Sequence, residues 1–317
     1  MSRLINLPLY GCKNPYQTGV YLKDAYKEFV KQMVGKGYAD KTIQTYNDHV
    51  IEFIKHLDDT NNEHVPLGLP RFPASHISNS LIIEWQGILR TRGNKDTTVK
   101  TKVKSIRTFL YWCMDKEREY CSTFNIPLPQ AEEAIKEVYG EEELDLILAQ
   151  PQNNDLSEWR NWAAVNTIVR TGIRRASACE LKWTDFDFPN KRALLRHSKN
   201  KKQQYIPLPK DLIEILLIWR DLSPVDEDGY VFFSTYKEAK LSPNSLTQAI
   251  RKYNLKRGVK KTSVHLMRHT YATTYLRKGG ESAKLQKILG HQTSEMTQRY
   301  LHLVTDDLVE DIDNLTI

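Results

Sequence analysis

The chain has 317 residues, which is long for one small core and predicts about two domains. With 40% hydrophobic and 27% charged residues, it has the composition of a well-solvated globular protein. Its formal net charge of +7 fits an anionic partner such as nucleic acid but does not require one, because many soluble proteins are mildly basic.

The cysteines and the apolar runs exclude several classes of protein. The four cysteines have neither the spacing of metal ligands nor that of a secreted disulfide framework, which indicates free thiols in a reducing compartment. No apolar run approaches the roughly 18–20 residues that a membrane-spanning helix needs. The N-terminal stretch also lacks the continuous apolar block of a signal peptide, since Lys13 and Pro15 interrupt its apolar residues. We therefore expect a cytoplasmic protein with no membrane partner.

The first part of the chain has the periodicity of helices. Apolar residues recur at three- and four-residue steps from Tyr21 and again after Asp40, whose side chain can cap a second helix. The pattern predicts a compact four-helix domain over residues 21–124. An irregular lead-in over 1–20 precedes this domain, which is predicted to contain helices from 21 and 40, a loop over 59–75, and helices over about 78–92 and 97–119.

Four basic residues lie on the last of these helices: Lys100, Lys102, Lys104 and Arg107. Exposed lysine and arginine along one helix can contact DNA phosphates, which strengthens binding and makes it salt-sensitive. A solvated helix face explains the same charges equally well. The helix alone does not decide between these interpretations.

The second part begins after a linker predicted over 125–140, where Pro127 and Pro129 break the helical pattern. Residues 141–304 then predict a domain of mainly helices, and residues 305–317 a tail helix. Its helices are predicted over about 141–148, 157–170, 210–220, 243–254, 263–277, 281–290 and 294–301, and its strands over Ala193–Arg196 and Tyr205–Leu208. The predicted fold class is mainly α with a small antiparallel β-sheet.

Three short stretches of the second part form an ordered set. They are Thr171-Gly172-Ile173-Arg174, then His265-Leu266-Met267-Arg268-His269-Thr270, then Leu289-Gly290-His291 with Tyr300 nine residues later. In this order they resemble the signature of the tyrosine recombinases, the phage integrase family. The resemblance covers nearly the whole chain and implies a helical core-binding domain followed by an α+β catalytic domain. Each stretch alone is weak evidence for this family, but the ordered set is specific for it.

The residue types agree with phosphoryl transfer. Arg174 and Arg268 supply guanidinium groups, which stay charged and grip two phosphate oxygens at once. His265 precedes Arg268 by three residues, so both side chains are expected on one face of a helix. His291 can donate a further hydrogen bond to the phosphate. Tyr300 is the candidate nucleophile, and because a free tyrosine is almost wholly protonated at neutral pH, His265 is the candidate base.

The resemblance also implies a lysine that protonates the departing 5′ oxygen, here Lys199 in the turn between the two predicted strands. Lys201 and Lys202 lie in the same turn and are the alternatives. One position departs from the family, which usually has an acid three residues after the first arginine, where this chain has Ser177. Either Ser177 replaces that acid by hydrogen bonding, or Glu180 compensates for it.

No cofactor or metal is expected. Asp185 and Asp187 alternate along a predicted strand and should point in opposite directions, so Asp185 is interpreted as a turn or capping residue.

The resemblance implies an enzyme that cleaves and rejoins double-stranded DNA as a tetramer on paired sites, with accessory proteins left open. The short lead-in fits an Xer-like or transposon-integrase-like recombinase better than one with an arm-binding domain. The tail over 305–317 either packs on its own domain or docks into a neighbouring subunit. A type IB topoisomerase and a catalytically impaired DNA-binding relative are the alternatives, and the host process stays open.

Overall fold

The computed structural model describes residues 19–60, 71–131, 137–196, 203–237, 239–291 and 293–301. The chain divides into two compact units, Met1–Ala134 and Ile135–Ile317. Most of the predicted lead-in and the whole predicted tail lie outside the described residues. None of the helices in the described ranges is both long and apolar enough to cross a membrane.

The first unit is a bundle of four helices. They are α1 (Leu22–Gly35), α2 (Asp40–Asp59), α3 (Asn79–Thr91) and α4 (Asp96–Cys113). Each helix buries one apolar stripe, and the stripes form one core that includes Phe53, Trp85 and Phe109, all fully buried. The four-helix prediction therefore agrees with the structure of this unit.

Two details of the first unit were predicted wrongly. Asp40 is the first helical residue and not the cap, because Ala39 has the extended backbone of the N-cap, and no side chain caps the helix. The fourth helix ends at Cys113 and not near residue 119. The amides of Arg118 and Glu119 turn back to the carbonyl of Asp115, and Glu119 has a positive φ of 50°, which ends the helical path.

The second unit contains eight helices within its described residues and is built around α6. The helices are α5 (Glu141–Leu148), α6 (Leu156–Thr171), α7 (Arg175–Ala178), α8 (Lys210–Leu222), α9 (Pro243–Lys256), α10 (Val264–Arg277), α11 (Ser282–Leu289) and α12 (Glu295–Leu301). Helix α6 packs against α5, α8, α9 and α10. It is therefore buried on nearly every side.

Polar residues of α6 tolerate this burial because they bond to the helix itself. Asn166 and Thr167 are fully buried and donate to the carbonyls of Trp162 and Ala163, at 3.0 and 2.7 Å. The helix ends at Gly172, which has the left-handed conformation of a helix C-terminus, with φ +63°. The chain leaves the core at this point and leads directly to Arg174.

The sheets of the second unit are small and antiparallel. Strands β1 (Phe186–Asp187), β2 (Arg192–Leu195) and β3 (Gln204–Pro207) pair in that order. The two predicted strands are present, each displaced by one residue. A second sheet of β4 (Phe233–Ser234) and β5 (Ala239–Lys240) was not predicted, because two residues are too few to show a period.

Candidate active site

Four of the predicted site residues come together where α6, α10, α11 and α12 meet. They are Arg174, Arg268, His291 and Tyr300. Arg174 follows the glycine that ends α6, and Arg268 lies in α10. His291 follows the glycine that ends α11, and Tyr300 lies in α12. Residues up to 126 positions apart in the sequence, from Arg174 to Tyr300, thus share one site because the ends of α6 and α11 converge beside α10 and α12.

Gly172 is needed at the first of these helix ends. Its φ of +63° is strained for a residue with a side chain, and an added Cβ would lie 2.4 Å from Cδ1 of Tyr271 and 2.7 Å from Cδ2 of Leu289. Its carbonyl oxygen accepts a hydrogen bond from Nη1 of Arg268. The glycine therefore lets α6 approach α10 and α11 closely enough to hold the arginine.

Arg268 is buried and bonded on several sides. Besides Gly172, its Nη2 donates to the carbonyl of Leu289 at 2.9 Å and to Nε2 of His291 at 3.0 Å. The hydroxyl of Tyr300 also lies beside this guanidinium and interacts with its charge. Because the guanidinium is planar, these partners fix both its position and the direction of its plane.

Arg174 is half-buried. Its guanidinium is held by the carbonyl that follows that of Leu289 in the sequence. Its Nη2 donates to the carbonyl of Gly290 at 3.0 Å. Gly290 has φ +61°, which turns the chain at the end of α11. The carbonyls of Leu289 and Gly290 therefore hold the two arginines side by side.

The two guanidinium groups form a positive site. Burial lowers the pKa of Arg174, and burial together with the charge of Arg174 lowers the pKa of Arg268 to about 10, so both stay charged at neutral pH. In the described part of the chain, main-chain carbonyls and the His291 ring bond to them and the Tyr300 hydroxyl lies beside Arg268, with no carboxylate among these groups. The positive charge is available to an anion.

His291 is buried, and its two nitrogens have different roles. Nε2 must accept the bond from Arg268, because a guanidinium has only donors. The proton of the neutral ring therefore lies on Nδ1, which donates to Oγ1 of Thr297 at 2.9 Å. Burial and the charges of Arg268 and Arg174 lower the pKa of His291 to about 4. In this arrangement His291 orients Arg268, and its Nε2 has no proton to donate to a phosphate.

This pKa makes folding depend on pH. Between pH 6.5 and about 4 the unfolded chain binds a proton at His291 that the folded chain does not bind. Stability should therefore fall as pH is lowered through this range, by at most about 1.4 kcal/mol per pH unit. The unfolding temperature of His291→Gln, measured by calorimetry from pH 7 to 4.5, should depend less on pH than that of the wild type. Equal dependence in the two proteins would contradict the burial of a neutral His291.

Tyr300 is buried, with 6% of its surface exposed, in a small cluster between α10, α11 and α12. Its ring stacks parallel to that of His291, with the centroids 6.1 Å apart. Its hydroxyl lies beside the guanidinium of Arg268, which stabilises negative charge on the phenol oxygen. The packing fixes the ring of Tyr300, and the guanidinium of Arg268 lies beside its hydroxyl.

The two histidines of α10 differ in their surroundings. His265 is exposed although Arg268, one turn later, is buried. His269, which the sequence did not single out, lies with its ring centroid 5.1 Å from that of Tyr300. Thr297 was also missed, because its role depends on a contact with His291 that no spacing rule describes.

The remaining predicted positions have separate outcomes. Lys199 lies outside the described residues. Ser177 is buried in α7, and Glu180 forms an ion pair with Lys240, so this carboxylate is already partnered. Asp185 is buried and accepts a bond from the backbone amide of Lys182, which confirms its interpretation as a turn residue.

Comparison with known proteins identifies the family of this chain. Residues 137–306, more than half of the chain, match the model of the phage integrase family. The "Tyrosine recombinase XerC" of Syntrophus aciditrophicus is 24% identical over 285 residues, covering 86% of this chain and 91% of the relative. That of Bacillus pumilus is 26% identical over 289 residues, covering 87% and 90%.

Solved structures share the fold. A lambda integrase dimer bound to a core site has a TM-score of 0.67 at 19% identity, covering 89% of this chain and 95% of that one. XerH recombinase in a post-cleavage complex has a TM-score of 0.67 at 22% identity, covering 92% and 84%. These likenesses confirm the predicted mainly α fold with small antiparallel sheets. The chain belongs to the phage integrase family and is a tyrosine site-specific recombinase.

Proposed function

We propose that this recombinase cleaves and rejoins double-stranded DNA through a covalent 3′-phosphotyrosyl bond to Tyr300. The observation that carries the proposal is the pair of guanidiniums without a carboxylate partner in the described residues, one of which lies beside the Tyr300 hydroxyl. A phosphate in transfer carries charge on its non-bridging oxygens, and fixed cations stabilise that charge. The same cations stabilise the phenolate that attacks.

The reaction is a transesterification. The oxygen of Tyr300 forms a bond to the DNA phosphorus as the bond from phosphorus to the 5′ oxygen breaks, and that oxygen leaves as a hydroxyl. A 5′ hydroxyl of the partner duplex then attacks the phosphotyrosyl bond and releases Tyr300. One ester replaces another in each step, so no ATP and no redox partner is needed.

Two proton transfers accompany each step. The phenol gives its proton to a base, for which His265 is the proposed residue. His269 is a second candidate for this role, because its ring lies against that of Tyr300. The departing 5′ oxygen receives its proton from Lys199, an assignment that rests on the resemblance alone.

The positive pair must exchange partners when DNA binds. In the described structure Arg268 already bonds to two carbonyls and to His291, and its charge interacts with the Tyr300 hydroxyl. A phosphate at this position therefore displaces the contact with Tyr300, which places the phosphorus beside the phenol oxygen. A direct bond from His291 to the phosphate would require Arg268 to release Nε2.

The proposed partners are double-stranded DNA and further copies of the chain. A similar structure, with a TM-score of 0.67 at 19% identity, is a lambda integrase tetramer bound to a Holliday junction. We propose the same assembly here, with residues 305–317 docking into a neighbouring subunit. Ser177, in place of the usual acid, is compatible with cleavage in this proposal, because Arg174 and Arg268 are held by carbonyls.

The proposal is tested by trapping the intermediate. The full chain, incubated with a duplex carrying its target site and a nick just beyond the scissile phosphate, should form an adduct that survives SDS, because the short 5′ fragment diffuses away. Mass spectrometry of the digested adduct should place the nucleotide on the peptide that contains Tyr300. Binding without an adduct would indicate an impaired relative, and plasmid relaxation without strand exchange would indicate a topoisomerase.

A further inference from the structure

The end of α11 presents four consecutive main-chain carbonyls, of Lys287, Ile288, Leu289 and Gly290. The last carbonyls of a helix have no partner within the helix, so other groups must bind them. Leu289 and Gly290 bind the two arginines. The preceding two carbonyls are both bound by one side chain, that of Gln204, and the carbonyl of Lys287 also accepts from the amide of Gly290 at 3.1 Å.

Gln204 is the first residue of β3 and lies far from α11 in the sequence. Its Nε2 donates to the carbonyl of Lys287 at 2.6 Å and to that of Ile288 at 2.9 Å. One amide group can donate both bonds because it carries two hydrogens. The sheet is thereby joined to the turn that holds the arginines.

A second contact fixes the same side chain against the end of the turn. A Cβ added to Gly290 would lie 2.6 Å from Oε1 of Gln204, so the glutamine packs directly on the glycine backbone. That glycine supplies the carbonyl that holds Arg174. Gln204 therefore contacts the turn both before and after the carbonyl of Leu289, which binds Arg268.

We propose that Gln204 is a positioning residue for the two arginines. It touches neither guanidinium in the described contacts and acts by fixing the carbonyls that aim them. The proposal rests on the proposed function, since it concerns the arginines as phosphate ligands. In chemical terms, the two hydrogen bonds that Gln204 donates set the geometry of Arg174 and Arg268.

The first test is Gln204→Glu, which keeps the size of the side chain and its contact with Gly290 but turns both donated bonds into repulsion between oxygens. We expect the single-turnover rate of cleavage on the nicked substrate to fall by about 10- to 100-fold, since a displacement of about 1 Å at a reacting group has effects of this order. DNA affinity should change by less than about threefold. Gln203→Glu is the matched control, because Gln203 is the adjacent, exposed glutamine.

The second test asks which group Gln204 acts through. In an Arg174→Ala background, adding Gln204→Glu should cost less than it does in the wild type, because one of the two groups that it positions is already missing. A substrate with sulfur in place of the leaving 5′ oxygen needs no protonation of its leaving group. Gln204→Glu should stay impaired on that substrate, since the defect lies in phosphate binding.

Three results would overturn the proposal: a wild-type cleavage rate for Gln204→Glu, full additivity with Arg174→Ala, or rescue by the sulfur substrate. Rescue would mean that Gln204 acts on the proton donor instead. Calorimetry of Gln204→Glu and Gln204→Ala shows whether either variant is merely unfolded, and an unfolded pair would assign Gln204 to stability and reject the proposal. Failure of the wild type to form any adduct would reject the proposed function, a result separate from these.

Discussion

A Tyr300→Phe variant is expected to bind its DNA site and to form no covalent adduct. The substitution removes only the phenolic oxygen, and the ring keeps its place in the cluster with Leu285 and Leu289. Adduct yield on the nicked substrate should fall by at least about 1,000-fold, to the limit of detection, because no other group supplies the attacking oxygen. Denaturing gels measure the adduct, and fluorescence anisotropy measures binding.

Tyr275→Phe is the matched control for this variant. Tyr275 packs against the same small cluster, so its loss of a hydroxyl reports any general effect on the site. It should cleave at nearly the wild-type rate. The loss of the interaction between this hydroxyl and Arg268 should cost Tyr300→Phe only about 1 kcal/mol of stability. An adduct formed by Tyr300→Phe would contradict the assignment of the nucleophile.

The second large effect is expected for Arg268→Lys, although the charge is kept. A lysine ammonium is a single point and cannot reach the carbonyls of Gly172 and Leu289 together with His291. The single-turnover cleavage rate should fall by about 100- to 1,000-fold, as when one donor to a developing negative charge is removed. Each carbonyl left unpaired should also cost about 1–3 kcal/mol of stability.

Arg277→Lys, an exposed position at the end of the same helix, controls for the change of residue type. It should retain both cleavage and stability. Arg268→Lys must be compared below its own unfolding temperature, so that lost cleavage is not lost folding. Wild-type cleavage by Arg268→Lys would show that positive charge is sufficient and that the planar geometry of the arginine is not needed.

The sequence predicted the members of the site better than their roles. Arg174, Arg268, His291 and Tyr300 were identified because three ordered stretches resemble the tyrosine recombinases, and the structure brings these residues together. The contacts of His291 were not predictable, because the position of its proton depends on Thr297, which only the folded chain places beside it. The roles of all four in DNA cleavage remain predictions.

Other parts were not predictable for physical reasons. The contact between Gln204 and α11 joins residues 83 positions apart, and neither end has a local pattern. The fourth helix was predicted too long, because the charged residues after Cys113 are of types that are common in helices. In the structure the carbonyl of Asp115 accepts hydrogen bonds from the amides of Arg118 and Glu119, and the helix has already ended. The apolar periods of the four-helix bundle and of α6 were predictable, since burial requires them.

The four carbonyls at the end of α11 have a consequence for how this site tolerates change. Because main-chain atoms hold the arginines, the side chains of Lys287 and Ile288 can be exchanged without removing a single bond to Arg174 or Arg268. Insertion or deletion of one residue in the same turn would instead move every carbonyl by one place. The site therefore constrains the length of this segment more strictly than its composition, with Gly290 as the exception.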